Sequence, residues 1–176
     1  MKTLLPEETQ SHAEKKEINI VYIITGGNIG NKKKNLENAG DQIHNRIGTI
    51  IQQSGIYETA AWGITEQPSF YNQVLKVKTQ LFPEEIMKII LEIERDMGRI
   101  RTIKNASRNI DIDILFFNND IINAKNVTIP HKEIPYRRFV LTPLNELAPE
   151  LVHPILNKSL HELLINCKDE LEVKKL

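Results

Sequence analysis

The residues that best fit a catalytic role are two aspartates in the C-terminal half of the chain. They stand in the alternating segment Ile110-Asp111-Ile112-Asp113-Ile114. Because side chains alternate along a strand, the two aspartates would share one face, separated by about 7 Å of backbone. Two carboxylates at that spacing can converge on a hard cation such as Mg²⁺. Taken alone, the pattern is more typical of the solvated outer face of a sheet than of a functional site.

The segment just before this pair, residues 95–108, is strongly basic. Its only acidic residue is Asp96, and its five basic residues are Arg95, Arg99, Arg101, Lys104 and Arg108. Guanidinium groups match phosphate oxygens with two parallel hydrogen bonds. The segment could therefore clamp a polyphosphate whose other oxygens bind Mg²⁺ through the aspartates. A solvated charged loop is the alternative for this segment considered alone.

A glycine-rich segment, residues 26–30, lies between a predicted strand and a predicted helix, as a phosphate-binding loop does. It lacks both the G-K-[ST] ending of a Walker A motif and the G-x-G-x-x-G spacing of a dinucleotide site. We interpret it first as a tight turn. We expect the lysines that follow, Lys32, Lys33 and Lys34, to lie on a solvated helix start.

Aromatic and amide side chains surround a second loop, residues 60–69. The only tryptophan, Trp62, lies within it, and Phe70, Tyr71 and Asn72 open the strand that follows. Rings beside an amide could sandwich and hydrogen-bond a flat heterocycle. Because neighbouring strand residues face opposite ways, at least one of the two rings after the loop must pack into the core instead.

The elements that position these residues are predicted from apolar periodicity. Strands are expected at 18–25, 49–59, 70–79 and 109–117, and helices at about 31–47 and from Pro83 to near Gly98. This β-α-β-β-α-β order predicts an α+β, ferredoxin-like core, an antiparallel sheet with both helices on one face. Residues 118–129 add a strand pair around an Asn118-Asn119-Asp120 turn, and residues 130–176 add short C-terminal helices and loops.

Composition narrows the classes of protein further. The 176 residues carry 23 Lys+Arg and 23 Asp+Glu, a net charge of zero, which argues against a nucleic-acid coat or a polybasic membrane anchor. The single cysteine, Cys167, excludes an internal disulfide and suits a reducing compartment; we expect it packed in a helix at 159–169. We expect a flexible extension at 1–17 and one cytoplasmic, monomeric domain at 18–176.

Five ordered segments together resemble the 6-hydroxymethyl-7,8-dihydropterin pyrophosphokinases of folate biosynthesis. They are GGNIGN at 26–31, YETAAWG with QPSFYNQV at 57–74, IERDMGRIR at 93–101, RNIDIDILFF at 108–117, and IPH with RRFVLTPLNELAP at 129–149. Each is weak alone, but all five in this order within one small domain are highly specific.

The resemblance implies transfer of a pyrophosphoryl group from ATP to the hydroxymethyl oxygen of the pterin, with two Mg²⁺ ions. It implies that Asp111 and Asp113 hold the metals and that Arg99 and Arg101 neutralise charge on the transferred group. The implied pterin residues are Thr59, Ala60, Ala61, Trp62, Phe70, Asn72 and Phe139. The implied ATP residues are Glu94, Arg99, Arg101, Lys104, Arg108, Ile114, Thr128, His131 and Arg137.

Two other functions share parts of this pattern. An RNA-recognition module has the same element order, but its third strand needs an aromatic-rich K/R-G-F/Y-G/A-F-V motif. The third strand here, FYNQVLKVKT, lacks the glycines and is aromatic only in its first two residues. A relative that binds pterin or nucleotide without catalysis is the second alternative, and the complete set of aspartates and arginines speaks against it.

Overall fold

The computed structural model describes residues 17–61, 67–99 and 107–176. The strands are β1 (Asn19–Gly27), β2 (Thr49–Gln53), β3 (Tyr57–Thr59), β4 (Phe70–Thr79), β5 (Asp111–Phe117), β6 (Ile122–Ala124), β7 (Val127–Ile129) and β8 (Val173–Lys175). The helices are α1 (Lys32–Arg46), α2 (Pro83–Asp96), α3 (Arg138–Leu147) and α4 (Leu160–Ile165), with a 3-10 turn at Ile134–Tyr136. No helix in these ranges is long and apolar enough to cross a bilayer.

The central sheet is antiparallel, with strand order β5-β1-β4-β3-β8 and with β2 also paired to β4. This is the predicted ferredoxin-like α+β core. The expected single strand at 49–59 is divided into β2 and β3, because Ser54 interrupts it. The Ser54 backbone N–H donates to Val74 O at 2.9 Å, and its hydroxyl accepts from Val74 N at 3.0 Å.

Helices cover both faces of the sheet, and a separate apolar cluster lies under each pair. On one face, α1 and α2 pack apolar stripes against β1, β4 and β5; the stripe residues are Leu36, Ala39, Ile43, Ile86, Ile90 and Ile93. On the other face, α3 and α4 cover a second cluster that includes Tyr22, Val74 and Phe116. The predicted C-terminal helices thus close the face that α1 and α2 leave open.

The helix boundaries follow local signals in the sequence. Helix α2 begins at Pro83, and the Glu85 carboxylate accepts from Phe82 N at 2.8 Å, which satisfies a free donor at the helix start. Beyond its end, Gly98 adopts φ +81°, a conformation that glycine takes without steric cost. The predicted bounds of both core helices are therefore confirmed to within about two residues.

Two local predictions are wrong in part, and one strand was not predicted. A turn does lie at Asn118-Asn119, where Asp120 N donates to Phe117 O at 3.0 Å, but the strand pair is not built around it, since β6 and β7 are joined at residues 125–126. Helix α4 ends at Ile165, so Cys167 lies beyond it, although the cysteine is buried as expected. The C-terminal strand β8 was not predicted, because three residues with two exposed lysines carry no strand periodicity.

A polar cluster around Glu146 of α3 attaches β8 to the sheet. The Glu146 carboxylate accepts from Tyr57 OH at 2.7 Å, from Gly55 N at 3.1 Å and from Lys175 Nζ at 2.8 Å. Partial burial opposes ionisation, but these three donors hold the pKa of Glu146 below its ordinary value. Burial and the facing carboxylate raise the pKa of Tyr57 to about 12.

Replacing Glu146 with alanine should lower the free energy of unfolding by about 1 to 2 kcal/mol at neutral pH, since three donors lose their acceptor in a partly solvated site. Because the folded-state pKa of Glu146 is depressed, its contribution is present above the ordinary value of 4.5 and is lost as the pH falls through the folded value. Urea unfolding of Glu146→Ala and of the exposed control Glu150→Ala at two pH values measures this. Equal effects of the two variants would contradict it.

Candidate active site

The ends of four neighbouring strands present a row of polar and aromatic side chains on one face of the sheet. Gly26 of β1 pairs with Asp111 on one side and with Asn72 on the other, and Asn72 pairs with Tyr57 of β3. Paired residues of an antiparallel sheet project from the same face. Asp111 and Asn72 therefore lie across Gly26 from one another, on the face that α3 and α4 cover farther along the strands.

The neighbouring rows extend this surface. Asp113 pairs with Ile24 one row inward, and Phe70 pairs with Thr59 one row outward. The Asn72 amide donates to Thr59 Oγ1 at 3.3 Å in a buried contact. The structure therefore brings both aspartates onto one face, as the alternation predicted, and places Thr59, Phe70 and Asn72 on that same face.

Gly26 and Gly27 belong to β1, so the prediction of a tight turn at these two residues is wrong. Instead, the absence of a side chain at these two glycines makes room for atoms of the neighbouring segments. A Cβ atom on Gly26 would lie 2.4 Å from Asn72 Oδ1, and one on Gly27 would lie 2.3 Å from the backbone oxygen of Asn109. At Gly27 only glycine lets the backbone before β5 come this near to β1, whereas at Gly26 the space is taken by the Asn72 side chain.

Asn28, which follows these glycines and is 1% exposed, joins three segments around the site. Its backbone N–H donates to Arg108 O at 2.9 Å, and its Oδ1 accepts from Arg108 N at 2.8 Å. Its amide nitrogen lies 3.2 Å from Gln67 Oε1, Pro68 O and Ser107 Oγ. The loop before β4 and the basic segment are thereby fixed relative to β1.

Two arginines of the basic segment form ion pairs with Asp111. Arg99 Nη1 lies 2.6 Å from Oδ1, and Arg108 Nε lies 2.7 Å from Oδ2. The Arg108 guanidinium also lies 5.2 Å from the centroid of the Phe70 ring, a cation–π distance. Arg108 therefore spans the distance between the acidic pair and the aromatic end of the row.

Glu94, which belongs to helix α2, contacts Arg99 and holds it in place. It is 2% exposed, its carboxylate accepts from Ile112 N at 2.9 Å, and it forms an ion pair with the Arg99 guanidinium. The Arg99 backbone N–H donates to Glu94 O at 2.9 Å. A buried carboxylate with these partners is a positioning group, since its Oε1 contacts both the backbone of β5 and the arginine.

The negative charges at the end of β5 are crowded. Burial, followed by the Asp111 and Glu94 carboxylates, raises the pKa of Asp113 from 3.8 to about 7, although Arg99 and Arg108 oppose the shift. A divalent cation would relieve this repulsion. Across the described ranges, no three His, Cys, Asp or Glu side chains converge as a metal cage. Two carboxylates suit Mg²⁺, which keeps waters and binds phosphate oxygens, better than a structural zinc ion.

The remaining residues implied for ATP lie on β5, on β7 and beyond. His131 N–H donates to Leu115 O at 2.9 Å, and burial lowers the pKa of His131 despite the neighbouring Glu133. Thr128 is exposed on β7, and Arg137 forms an ion pair with Glu133 at 3.3 Å. The side chain of Ile114 packs in the apolar cluster under α1 and α2, on the opposite face of β5 from the aspartates.

The other residues implied for pterin binding differ in their exposure and in their location in the fold. Ala60 is exposed and Ala61 is partly buried directly after β3, and Phe139 packs beside the apolar cluster under α3 and α4. Trp62, Arg101 and Lys104 lie outside the described residues. The role of Asn28 has no local signal in the sequence, since its five contacts reach residues 39 to 80 positions away.

Similarity to known proteins provides evidence on the family of the chain that is independent of its geometry. The family model of 7,8-dihydro-6-hydroxymethylpterin-pyrophosphokinase matches residues 22–149. The chain is 37% identical to the Aquifex aeolicus 2-amino-4-hydroxy-6-hydroxymethyldihydropteridine pyrophosphokinase over 142 residues, 81% of this chain and 88% of that protein. It is 40% identical to the folic acid synthesis protein FOL1 of Dictyostelium discoideum over 148 residues, 84% of this chain but only 22% of the length of that protein.

Solved structures show the same fold. The crystal structure of wild-type Plasmodium falciparum HPPK-DHPS with pterin and p-hydroxybenzoate matches 87% of this chain and 44% of that chain, with a TM-score of 0.70 at 20% identity.

Proposed function

Because the chain belongs to the 7,8-dihydro-6-hydroxymethylpterin-pyrophosphokinase family, we propose that it transfers a pyrophosphoryl group from ATP to the hydroxymethyl oxygen of 6-hydroxymethyl-7,8-dihydropterin. The products are AMP and the pterin diphosphate, an intermediate of folate biosynthesis. The observation that carries the proposal is the single face on which Asp111 and Asp113 lie beside Asn72 and Phe70. A metal–phosphate site and a site for a flat ring are thus adjacent.

Asp111 and Asp113 would hold two Mg²⁺ ions, in keeping with a donor set of two carboxylates and a crowded negative charge. When bound, the ions supply charge neutralisation at the phosphates and fix their orientation. The chain's own contribution is the rigid placement of both carboxylates on one face of β5, which Glu94 secures by accepting from Ile112 N.

Arg99 and Arg108 would exchange their ion pairs with Asp111 for pairs with phosphate oxygens when MgATP binds. Their guanidinium groups are held beside the metal carboxylates, so little reorganisation is needed at the moment of transfer. Arg101 and Lys104 are proposed to complete the phosphate contacts. The other ATP contacts are proposed for Thr128, His131 and Arg137, whereas Glu94 would act through Arg99 and the Ile114 side chain packs on the opposite face of β5.

The pterin would lie on the outer rows, where its amide-like edge can hydrogen-bond Asn72 and its ring can stack on Phe70. Thr59, Ala60, Ala61, Trp62 and Phe139 are the further proposed contacts. Positioning of the hydroxymethyl oxygen against the transferred phosphorus accounts for most of the catalysis in such a site, since no covalent intermediate is required.

The RNA-recognition alternative is disfavoured by the position of α3 and α4. Such modules bind bases on the open face of the sheet, but here that face is covered by the apolar cluster under these helices. A relative that only binds pterin or nucleotide is not favoured, because the named relatives of the chain are pyrophosphokinases. A single domain at 18–176, the monomeric state, cytoplasmic location and absence of nucleic-acid partners stay predictions from the sequence.

The proposal is tested by incubating the purified protein with MgATP and the reduced pterin. We expect AMP and pterin diphosphate in equal amounts, measured by anion-exchange chromatography, and no ADP. A pterin without the hydroxymethyl group is the matched control and should yield no AMP, since it lacks the accepting oxygen. Formation of ADP, or AMP release that is independent of the hydroxymethyl group, would contradict the proposal.

A further inference from the structure

Lys32, at the first position of α1, does not lie on a solvated helix surface as the sequence analysis expected. Its Nζ donates to the backbone oxygen and to the hydroxyl of Ser69, both at 2.9 Å. It also lies 3.9 Å from the centroid of the Tyr71 ring. Lys33 and Lys34, by contrast, are exposed as expected. The first lysine is therefore engaged with the segment that opens β4.

Ser69 carries this contact on to β3. Its hydroxyl donates to Glu58 Oε1 at 2.5 Å. Glu58 lies one residue before the end of β3, and Ser69 directly precedes β4. The Ser69–Glu58 hydrogen bond therefore closes the base of the loop at residues 60–69, and Lys32 attaches that base to α1. We call Lys32, Ser69 and Glu58 the loop clamp.

The clamp lies on the opposite side of the sheet from the proposed substrates. Glu58 pairs with Tyr71, and adjacent residues of a strand face opposite ways, so Thr59 and Phe70 project from the other face. The clamp residues thus adjoin two proposed pterin contacts in sequence without sharing their face. Any effect on the pterin has to pass through the backbone of β3 and β4.

We propose that the loop clamp positions the pterin site, an inference that rests on the proposed function. Charge-assisted hydrogen bonds between partly buried groups hold the end of β3 and the start of β4, from which Thr59 and Phe70 project. Without them, the pterin would have to order the loop ends when it binds, which weakens its binding. The aspartates and Arg99 are held by α2 and β5, and only Arg108 is joined to the loop before β4, through Asn28 and Phe70, so ATP binding should depend on the clamp much less than pterin binding does.

The test compares Lys32→Met with Lys33→Met, which removes the same charge from the exposed neighbouring position. For Lys32→Met we expect KM for the pterin to rise about tenfold, corresponding to one or two lost hydrogen bonds. KM for ATP should change less than about twofold, well below the effect of one lost hydrogen bond. Lys33→Met should match the wild type, and Lys32→Arg should restore most of the pterin affinity because it keeps a charged donor.

A second variant keeps the test decisive if Lys32→Met does not fold. Ser69→Ala removes the hydroxyl between the two charged groups but leaves the backbone oxygen, and it should raise the pterin KM in the same way. Combined with Lys32→Met, its effect should be less than multiplicative, because both variants break one connected set of contacts. Unchanged pterin KM in both single variants, or an equal rise in both KM values, overturns the clamp. Absence of pterin-dependent AMP formation in the wild-type protein would instead refute the proposed function.

Discussion

Replacing Asp113 with asparagine is expected to reduce AMP formation by about 1000-fold or more, the effect of losing a metal-holding carboxylate at a phosphoryl-transfer site. Asparagine keeps the size of the side chain and its place on β5, so the row of site residues should remain intact. The loss should fall on kcat with MgATP, and excess Mg²⁺ should not restore it, because a neutral amide oxygen binds Mg²⁺ far less strongly than a carboxylate.

The same substitution should stabilise the metal-free protein. Burial and the neighbouring carboxylates raise the folded-state pKa of Asp113 to about 7, above its ordinary value of 3.8. Between these values the folded state binds more protons than the unfolded state, so stability decreases as the pH rises, and the full penalty is present above pH 7. Asp113→Asn lacks this penalty and should gain about 1 to 2 kcal/mol at pH 8, with little gain near pH 4.

Thermal unfolding at pH 5 and pH 8, with and without Mg²⁺, separates these effects. Mg²⁺ should stabilise the wild-type protein at pH 8 by binding only the folded state, and it should stabilise Asp113→Asn much less. Asp120→Asn is the matched control, since Asp120 is exposed just beyond the same strand. Normal turnover of Asp113→Asn, or destabilisation of the metal-free variant at pH 8, would show that Asp113 does not have the assigned role.

The regular parts of the fold were predictable because each element carries its own periodic signal. Helix α2 has an apolar stripe, a proline start and a glycine stop, and β5 alternates strictly at its beginning. The division between β2 and β3 was not predictable, since it depends on the hydroxyl of Ser54 bonding to β4 twenty residues away. Strand β8 depends on Glu146 and the free edge of β3, which no local pattern encodes.

The site, too, was predictable only where a local pattern in the sequence encodes it. Alternation alone placed Asp111 and Asp113 on one face, and charge alone indicated the basic segment. The close approach at Gly26 and Gly27, the joining role of Asn28 and the engagement of Lys32 arise only when distant segments meet. For that reason two of the glycines were interpreted as a turn and Lys32 as a solvated residue.

Arg99→Ala should lower kcat by about 100- to 1000-fold while raising KM for ATP far less, the pattern expected when a guanidinium stabilises charge that develops during transfer. The substitution also has a structural cost. Glu94 is buried and forms an ion pair with Arg99, so removal of the arginine deprives a buried carboxylate of its charged partner and lowers stability. Measured activity loss could therefore combine a catalytic effect and a folding effect.

A second substitution separates the two effects. Glu94→Gln in the Arg99→Ala background removes the buried charge but leaves an oxygen that can accept from Ile112 N, so it should recover much of the unfolding free energy. It should not recover kcat, because the guanidinium beside Asp111 is still missing. Arg95→Ala removes the same side chain from an exposed position of the same segment, 74% exposed, and should leave both quantities unchanged. If kcat returned together with stability in the double variant, Arg99 would be a structural residue, and charge neutralisation during transfer would have to come from the other arginines.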